Sequence, residues 1–116
     1  MSVFADASVD ITPAEASRRL QAGELLLVDI REQYEWDAGR VPGSRHIEIA
    51  RVASQAPSIS RDEPVAFVCR GGVRAGMVAQ AFRAIGYDAY NVLGGMTAWH
   101  EQGLPMEPEG AVVAPH

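Results

Sequence analysis

Cysteine is nearly absent from this chain of 116 residues, in which Cys69 is the one cysteine. A single cysteine excludes an internal disulfide, so the expected location is a reducing cytoplasm. The opening stretch MSVFADASVD has neither a basic start nor a long apolar run. The sequence therefore predicts no signal peptide and no membrane span.

Positive charge is also scarce, because 10 basic residues face 15 acidic ones and the formal net charge is -5. This balance predicts that the chain does not bind nucleic acid, and any anionic ligand must be attracted by a local group of arginines. The three histidines, His46, His100 and His116, show no ligand-like spacing with Cys69. We therefore expect no metal site and no cofactor.

The composition is that of one globular domain, with 47% hydrophobic and 22% charged residues over 116 positions. We assign the whole range 1–116 to a single domain with its core at about residues 11–105. The remaining stretch, MEPEGAVVAPH, is predicted to be a loose tail over residues 106–116.

Helix and strand patterns alternate in the first half of the chain. Thr12, Pro13 and Glu15 predict the start of a short helix that ends near residue 21. The apolar run LLLVDI at residues 25–30 is typical of a strand that is buried on both faces. A second short helix is predicted over residues 33–38, and a strand near residues 46–49.

The second half repeats the alternation. A helix near residues 51–56 and a surface connection precede the apolar run VAFVC at residues 65–69. Val78, Phe82 and Ile85 have the spacing of an amphipathic helix that begins near Arg74. A strand at residues 87–92 and a short helix within GGMTAWHEQG follow. The pattern predicts an α/β fold with a mainly parallel central sheet flanked by helices on both sides.

Cys69 lies where a predicted strand ends and a predicted helix begins, and glycines and arginines occupy four of the next five positions in CRGGVR. A strand, a tight turn and a helix place backbone N–H groups around the side chain that starts the turn. In the alternative interpretation, Cys69 is an inert buried residue and the glycines only turn the chain. The neighbouring arginines, Arg70 and Arg74, favour an anion-binding loop.

Asp29 and Arg31 are candidates for an acid and a base, because they follow a buried strand. An aspartate at the end of a strand more often caps loop backbone, and a nearby arginine more often pairs with acids. We therefore predict that both support the site structurally. Trp36 and Trp99 are predicted to lie in the core or in a pocket wall.

The loop CRGGVRAG, with four residues between its cysteine and its last arginine, resembles the active-site loop of single-domain rhodaneses. These sulfurtransferases carry sulfane sulfur as a cysteine persulfide. The stretches LLLVDIREQYEWDAGRVPGSRHI and YNVLGGMTAW, the latter followed by GLP, are similar to other patterns of the family. The resemblance runs from about residue 11 to residue 105. Arg40 and Ser44 stand where many members have histidine and alanine.

The resemblance implies a rhodanese-like α/β fold and a two-step sulfur transfer. Cys69 would take the outer sulfur of thiosulfate or of a persulfide donor and pass it to cyanide, a thiol or a sulfur-carrier protein. Arg70 would select the substrate at the rim of the loop, and the guanidinium of Arg74 would hold loop carbonyls or the reacting anion. The backbone groups expected to bind the anionic sulfur belong to Arg70, Gly71, Gly72, Val73 and Arg74.

Two alternatives remain at this point. Cysteine phosphatases and arsenate reductases resemble this loop, but such phosphatases have five residues between cysteine and arginine, and arsenate reduction commonly uses further thiols. A rhodanese-like module without activity, serving binding or regulation, is the other alternative. Such modules usually lack the cysteine that is present here as Cys69.

Overall fold

Five strands form one central sheet in the part of the chain that the computed structural model describes, residues 9–116. The strands are β1 (Asp10–Ile11), β2 (Leu26–Asp29), β3 (Arg45–His46), β4 (Val65–Val68) and β5 (Ala89–Val92). Their order in the sheet is β1-β5-β4-β2-β3, and each neighbouring pair is parallel. The predicted α/β class is confirmed. The prediction that residues 1–10 hold no signal peptide falls mainly on positions outside the described range.

The helices are α1 (Pro13–Gln21), α2 (Gln33–Ala38), α3 (Ile49–Gln55), α4 (Val73–Ala84) and α5 (Gly95–Glu101), with a 3-10 turn at Ala56–Ser58. Thr12 caps α1 as its sequence predicts, since its hydroxyl oxygen accepts the Glu15 N–H at 3.2 Å. None of the helices between residues 9 and 116 has the length and apolar character needed to cross a bilayer.

Two apolar cores lie on opposite faces of the sheet, because successive strand residues point to opposite sides. On one face, Val28 and Phe67 pack with residues of α3 and α4 such as Val52 and Phe82. On the other face, Leu27 and its neighbours pack with residues of α1 and α5, namely Ala16, Met96 and Trp99. Burial on both faces explains why β2 and β4 are continuous apolar runs.

The region around β3 differs from its sequence-based assignment. The strand covers Arg45–His46 instead of residues 46–49, and Ile49 already begins α3. The N–H groups of Ile47 and Ile49 still bond to the carbonyls of Asp29 and Ile30, each at 3.0 Å. The chain therefore follows the edge of β2 until the helix starts. The two-residue strand β1 has no counterpart in the sequence-based assignment.

The stretch after α5 packs against the domain, which differs from the expected loose tail at residues 106–116. Arg40 and Glu107 form an antiparallel bridge, and the Val112 N–H donates to the Ala38 carbonyl at 3.0 Å. Val113 packs on the core that contains Trp99. Apolar side chains in the stretch therefore pack against the domain. The mixed composition of residues 106–116 did not indicate this contact.

Candidate active site

The candidate site lies at the carboxyl edge of the sheet, where neighbouring parallel strands end together. Asp29 is the last residue of β2 and is paired in register with Val68, the last residue of β4. Cys69 follows directly. In open parallel sheets this edge is where ligands bind.

The Cys69 sulfur is held by backbone N–H groups from the start of α4. Its Sγ accepts the Gly72 N–H at 3.1 Å and the Ala75 N–H at 3.4 Å. Gly72 caps the helix with a φ of 99°, a left-handed conformation that favours glycine. Cys69 is 1% exposed. Burial alone suits an inert cysteine, but N–H donors at a helix N-terminus stabilise a thiolate more than a thiol.

The carbonyls of the loop point the other way, toward the first turn of α5. The Met96 N–H donates to the Cys69 carbonyl at 2.8 Å, and the Thr97 N–H donates to the Arg70 carbonyl at 3.0 Å. Gly95 permits this approach, because a Cβ on it would lie 2.4 Å from the Cys69 oxygen. Sequence reasoning missed Gly95 as a support for the loop, and the glycine pair in LGGM was its one signal.

The two loop arginines have different surroundings. Arg70 is exposed, and its side chain has no ion-pair partner within residues 9–116. The Arg74 side chain is 20% exposed, and its Nη2 lies 3.6 Å from Oε2 of Glu35, which is fully buried. The charged group that Arg74 meets is thus this carboxylate, whereas the sequence led us to expect loop carbonyls or the reacting anion. Sequence reasoning missed Glu35 in this role.

Asp29 and Arg31 form a buried ion pair beneath the site, and both side chains are fully buried. Arg31 Nε and Nη2 donate to the carboxylate of Asp29 at distances of 2.8–3.1 Å, and Nη2 also donates to the Gly39 carbonyl at 2.7 Å. Asp29 Oδ1 accepts the Arg31 N–H at 3.1 Å. These bonds tie the end of β2 to the end of α2, which is a supporting arrangement.

Trp36, near the end of α2, contacts the side chains of His46 and Arg40. Its ring stacks on His46 with centroids 4.7 Å apart, and the Arg40 guanidinium lies 5.3 Å from it. Arg40 Nε is also 3.5 Å from Glu107 Oε1. The Arg40 guanidinium therefore contacts both an aromatic ring and a carboxylate. Trp99, on the opposite core, is fully buried and donates its indole N–H to the Pro105 carbonyl at 2.9 Å.

One group of metal-ligating side chains occurs among the described residues: Glu32, Glu35 and His116, whose ligand atoms lie within 4.8 Å of one another. The sequence predicts no metal site, from the spacing of histidines relative to Cys69. This group does not include Cys69.

The chain is similar to a known protein family and to individual members of it. The family described as "Rhodanese-like domain" matches residues 12–102. A thiosulfate sulfurtransferase GlpE from Actinobacillus succinogenes is 30% identical, with 87% of this chain and 92% of the relative covered. A crystal structure of a rhodanese-like domain protein from Staphylococcus aureus has 33% identity and a TM-score of 0.74, and the match covers 85% of this chain and 98% of that one.

A third relative has a different description. An HTH-type transcriptional regulator from Mycobacterium tuberculosis is 38% identical over 105 residues, which make up 89% of this chain and 46% of the relative. The chain thus spans about half the length of that protein.

The contact between α5 and the loop yields a first prediction, on Gly95→Ala. Its added Cβ would meet the carbonyl oxygens of Cys69 and Arg70 at 2.4 and 2.6 Å. The control is Gly103→Ala, since Gly103 also has a positive φ, 68° against 58°, but has nothing within 4 Å of its Cβ position.

Both variants carry the backbone cost of a left-handed alanine, about 1 kcal/mol. We expect Gly95→Ala to lose about 1–3 kcal/mol more of the free energy of unfolding, because overpacking adds to that cost. Urea denaturation followed by circular dichroism measures the difference. Equal losses in the two variants would show that the approach of α5 to the loop is not tight.

Proposed function

Because the chain belongs to the rhodanese-like domain family, we propose that it is a sulfurtransferase that works through a persulfide on Cys69. The sulfur comes from thiosulfate or a persulfide donor and goes to a thiophilic acceptor. The sulfurtransferase among its relatives supports the class of reaction. The observation that carries the proposal is the pair of N–H groups, from Gly72 and Ala75, at the Cys69 sulfur.

The first half-reaction follows from this placement. The Cys69 thiolate attacks the outer sulfur of thiosulfate, the new S–S bond forms, and the old S–S bond breaks with its electron pair leaving on sulfite. The product is Cys–S–S⁻, so the two charges of thiosulfate leave on sulfite and the charge of the thiolate moves to the terminal sulfur.

After this step the negative charge lies on the terminal sulfur, one atom beyond Sγ of Cys69. The loop has to bind the anion at that position. An S–S bond adds about 2.05 Å to the side chain. The N–H groups of Val73 and Arg74 are the first two of α4 and have no acceptor within the helix by their position. We assign them, with the N–H groups of Arg70 and Gly71, to the terminal sulfur, as an oxyanion hole holds oxygen.

In the second half-reaction an acceptor removes the terminal sulfur. Cyanide attacks it and leaves as thiocyanate, and the Cys69 thiolate is restored. A thiol or a sulfur-carrier protein takes the same place in the proposed physiological reaction. This chemistry needs a free thiol, which agrees with the expected cytoplasmic location.

Arg70 is the group proposed to attract the donor. The overall charge of -5 repels an anion, and Arg70 is an exposed cation directly beside the nucleophile. Arg40, the other candidate for substrate choice, contacts Trp36 and Glu107. Arg74 faces Glu35. The surroundings of the three arginines therefore favour Arg70.

A regulatory binding module is the second candidate, and the HTH-type regulator among the relatives favours it. Such a module would need neither a reactive Cys69 nor its N–H donors. Treatment of the purified protein with thiosulfate distinguishes the two candidates.

We expect thiosulfate to add about 32 Da, the mass of one sulfur, to the parent protein, and cyanide to remove it. Cys69→Ser should gain no sulfur and should lose at least about a hundredfold in thiosulfate–cyanide activity, because an oxygen cannot form the persulfide. Intact mass spectrometry and circular dichroism of the same preparations measure loading and folding. A folded Cys69→Ser variant with activity within tenfold of the parent would contradict the proposal.

The role of Arg70 gives a kinetic prediction. Arg70→Ala should raise the KM for thiosulfate about 5- to 30-fold with a small change in kcat, because an exposed charge attracts ground state and transition state alike. Added salt should weaken the parent more than the variant, since the Debye length falls from about 10 Å at 0.1 M to about 3 Å at 1 M.

Arg18→Ala is the matched control, because it removes the same charge from an exposed side chain on α1. Steady-state kinetics of the three proteins at low and high ionic strength provide the test. If Arg70→Ala and Arg18→Ala have the same KM and the same salt dependence, Arg70 does not select the substrate.

A further inference from the structure

The stretch after α5, residues 104–116 and here named the closing segment, runs along α2 toward the start of that helix. Near the end of α2, its Val112 N–H donates to the Ala38 carbonyl at 3.0 Å. Near the start of α2, the Tyr34 hydroxyl donates to the Pro115 carbonyl at 3.0 Å. These contacts bring the last residue of the segment, His116, to the first turn of α2.

At that point His116 meets the carboxylate that faces the catalytic loop. Its Nδ1 lies 3.3 Å from Oε1 of Glu35 and 3.7 Å from Oε2 of Glu32. Glu35 Oε1 also accepts the Glu32 N–H at 3.1 Å. The other oxygen, Oε2, lies 3.6 Å from Arg74 Nη2 and has no hydrogen-bond partner among the described residues.

Glu35 therefore has a buried carboxyl group with two basic neighbours, Arg74 from α4 and His116 from the closing segment. A buried carboxylate is costly unless it is paired and hydrogen-bonded. The contact with Arg74 is an ion pair without a hydrogen bond, so it leaves part of this cost uncompensated. The His116 imidazole is a second basic group, and it lies against the opposite oxygen, Oε1.

We propose that Glu35 and His116 are positioning residues for the catalytic loop, acting on it through Arg74. Arg74 is the second residue of α4, and its N–H is one of those assigned to the terminal sulfur. A displaced Arg74 would move that N–H. The closing segment is then part of the support of the active site. This inference rests on the proposed sulfur transfer and adds a residue set that acts on it.

The proposal predicts which kinetic constant changes. The N–H groups around the terminal sulfur stabilise charge that forms during the reaction, so their displacement lowers kcat. Attraction of thiosulfate depends on Arg70, which does not contact Glu35 or His116 among the described residues. The KM should therefore change little.

The test compares the steady-state kinetics of the parent with those of His116→Ala, His116→Arg and His100→Ala under identical conditions. We expect His116→Ala to lower kcat about three- to tenfold with KM within twofold. His116→Arg keeps a basic side chain beside Glu35 and should stay within twofold of the parent. His100→Ala is the matched control, because His100 is an exposed histidine on α5, and should leave both constants unchanged.

Two kinetic results would overturn the proposal: an unchanged kcat in His116→Ala, whether or not the KM rises, or a loss of kcat in His116→Arg as large as in His116→Ala. Thermal unfolding of each variant accompanies the kinetics. A loss of kcat that matches a general loss of folded protein would also count against positioning.

A second measurement does not depend on sulfur transfer. Tm values of His116→Ala, Glu35→Gln and the double variant form a double-mutant cycle. We expect the double variant to lose less than the sum of the two single losses, because each change removes the same contact. Additive losses would refute the coupling even in a protein that loads sulfur. A parent that gains no sulfur would refute the proposed function, and the cycle would still test the coupling.

Discussion

The close approach of α5 to the loop after β4 is the contact on which the rest of the site depends. The carbonyls of Cys69 and Arg70 accept N–H groups from the first turn of α5, at 2.8 and 3.0 Å. With those carbonyls fixed, the loop turns at Gly72, and the start of α4 directs its N–H groups at the Cys69 sulfur. A Cβ atom at position 95 would overlap the carbonyl oxygens of Cys69 and Arg70, so this position requires glycine. Two helix N-termini thus fix one short loop, α5 from the carbonyl side and α4 from the sulfur side.

The sheet and the ion pairs around the loop serve this arrangement. The register of β2 and β4 brings Asp29 beside the residue that precedes Cys69, and the Asp29–Arg31 pair ties that edge to the end of α2. Glu35, on α2, faces Arg74 on α4. The charged side chains of Asp29, Arg31, Glu35 and Arg74 are therefore used mostly to join elements of the fold. Arg70 is the loop cation whose side chain is exposed.

Local patterns were enough to predict the helices and the place of Cys69 between a strand and a helix. The bounds of α2 agree with the predicted residues 33–38, and the strand before Cys69 and the helix after it lie where apolar spacing put them. These features depend on neighbours in the sequence, such as the Gly72 cap and the periodicity of Val78 and Phe82.

Features that depend on distant residues were not predictable in the same way. β1 has two residues and exists because it pairs with β5, about 80 positions later. The partner of Arg74 is Glu35, and no pattern of short range connects the two. The composition of the closing segment predicts a loose tail, but the partly buried Val113 packs against the core that contains Trp99. Only the tertiary fold brings these residues together.

The central claim is that the loop between β4 and α4 is a preformed ring for a sulfur anion on Cys69. A crystal structure of the protein after thiosulfate treatment tests it most directly. The account predicts one additional sulfur, about 2.05 Å from Sγ, within hydrogen-bonding distance of the N–H groups of residues 70–74, with the loop unmoved. A sulfur that points into the core, a loop that rearranges to hold it, or an unmodified Cys69 would contradict the account.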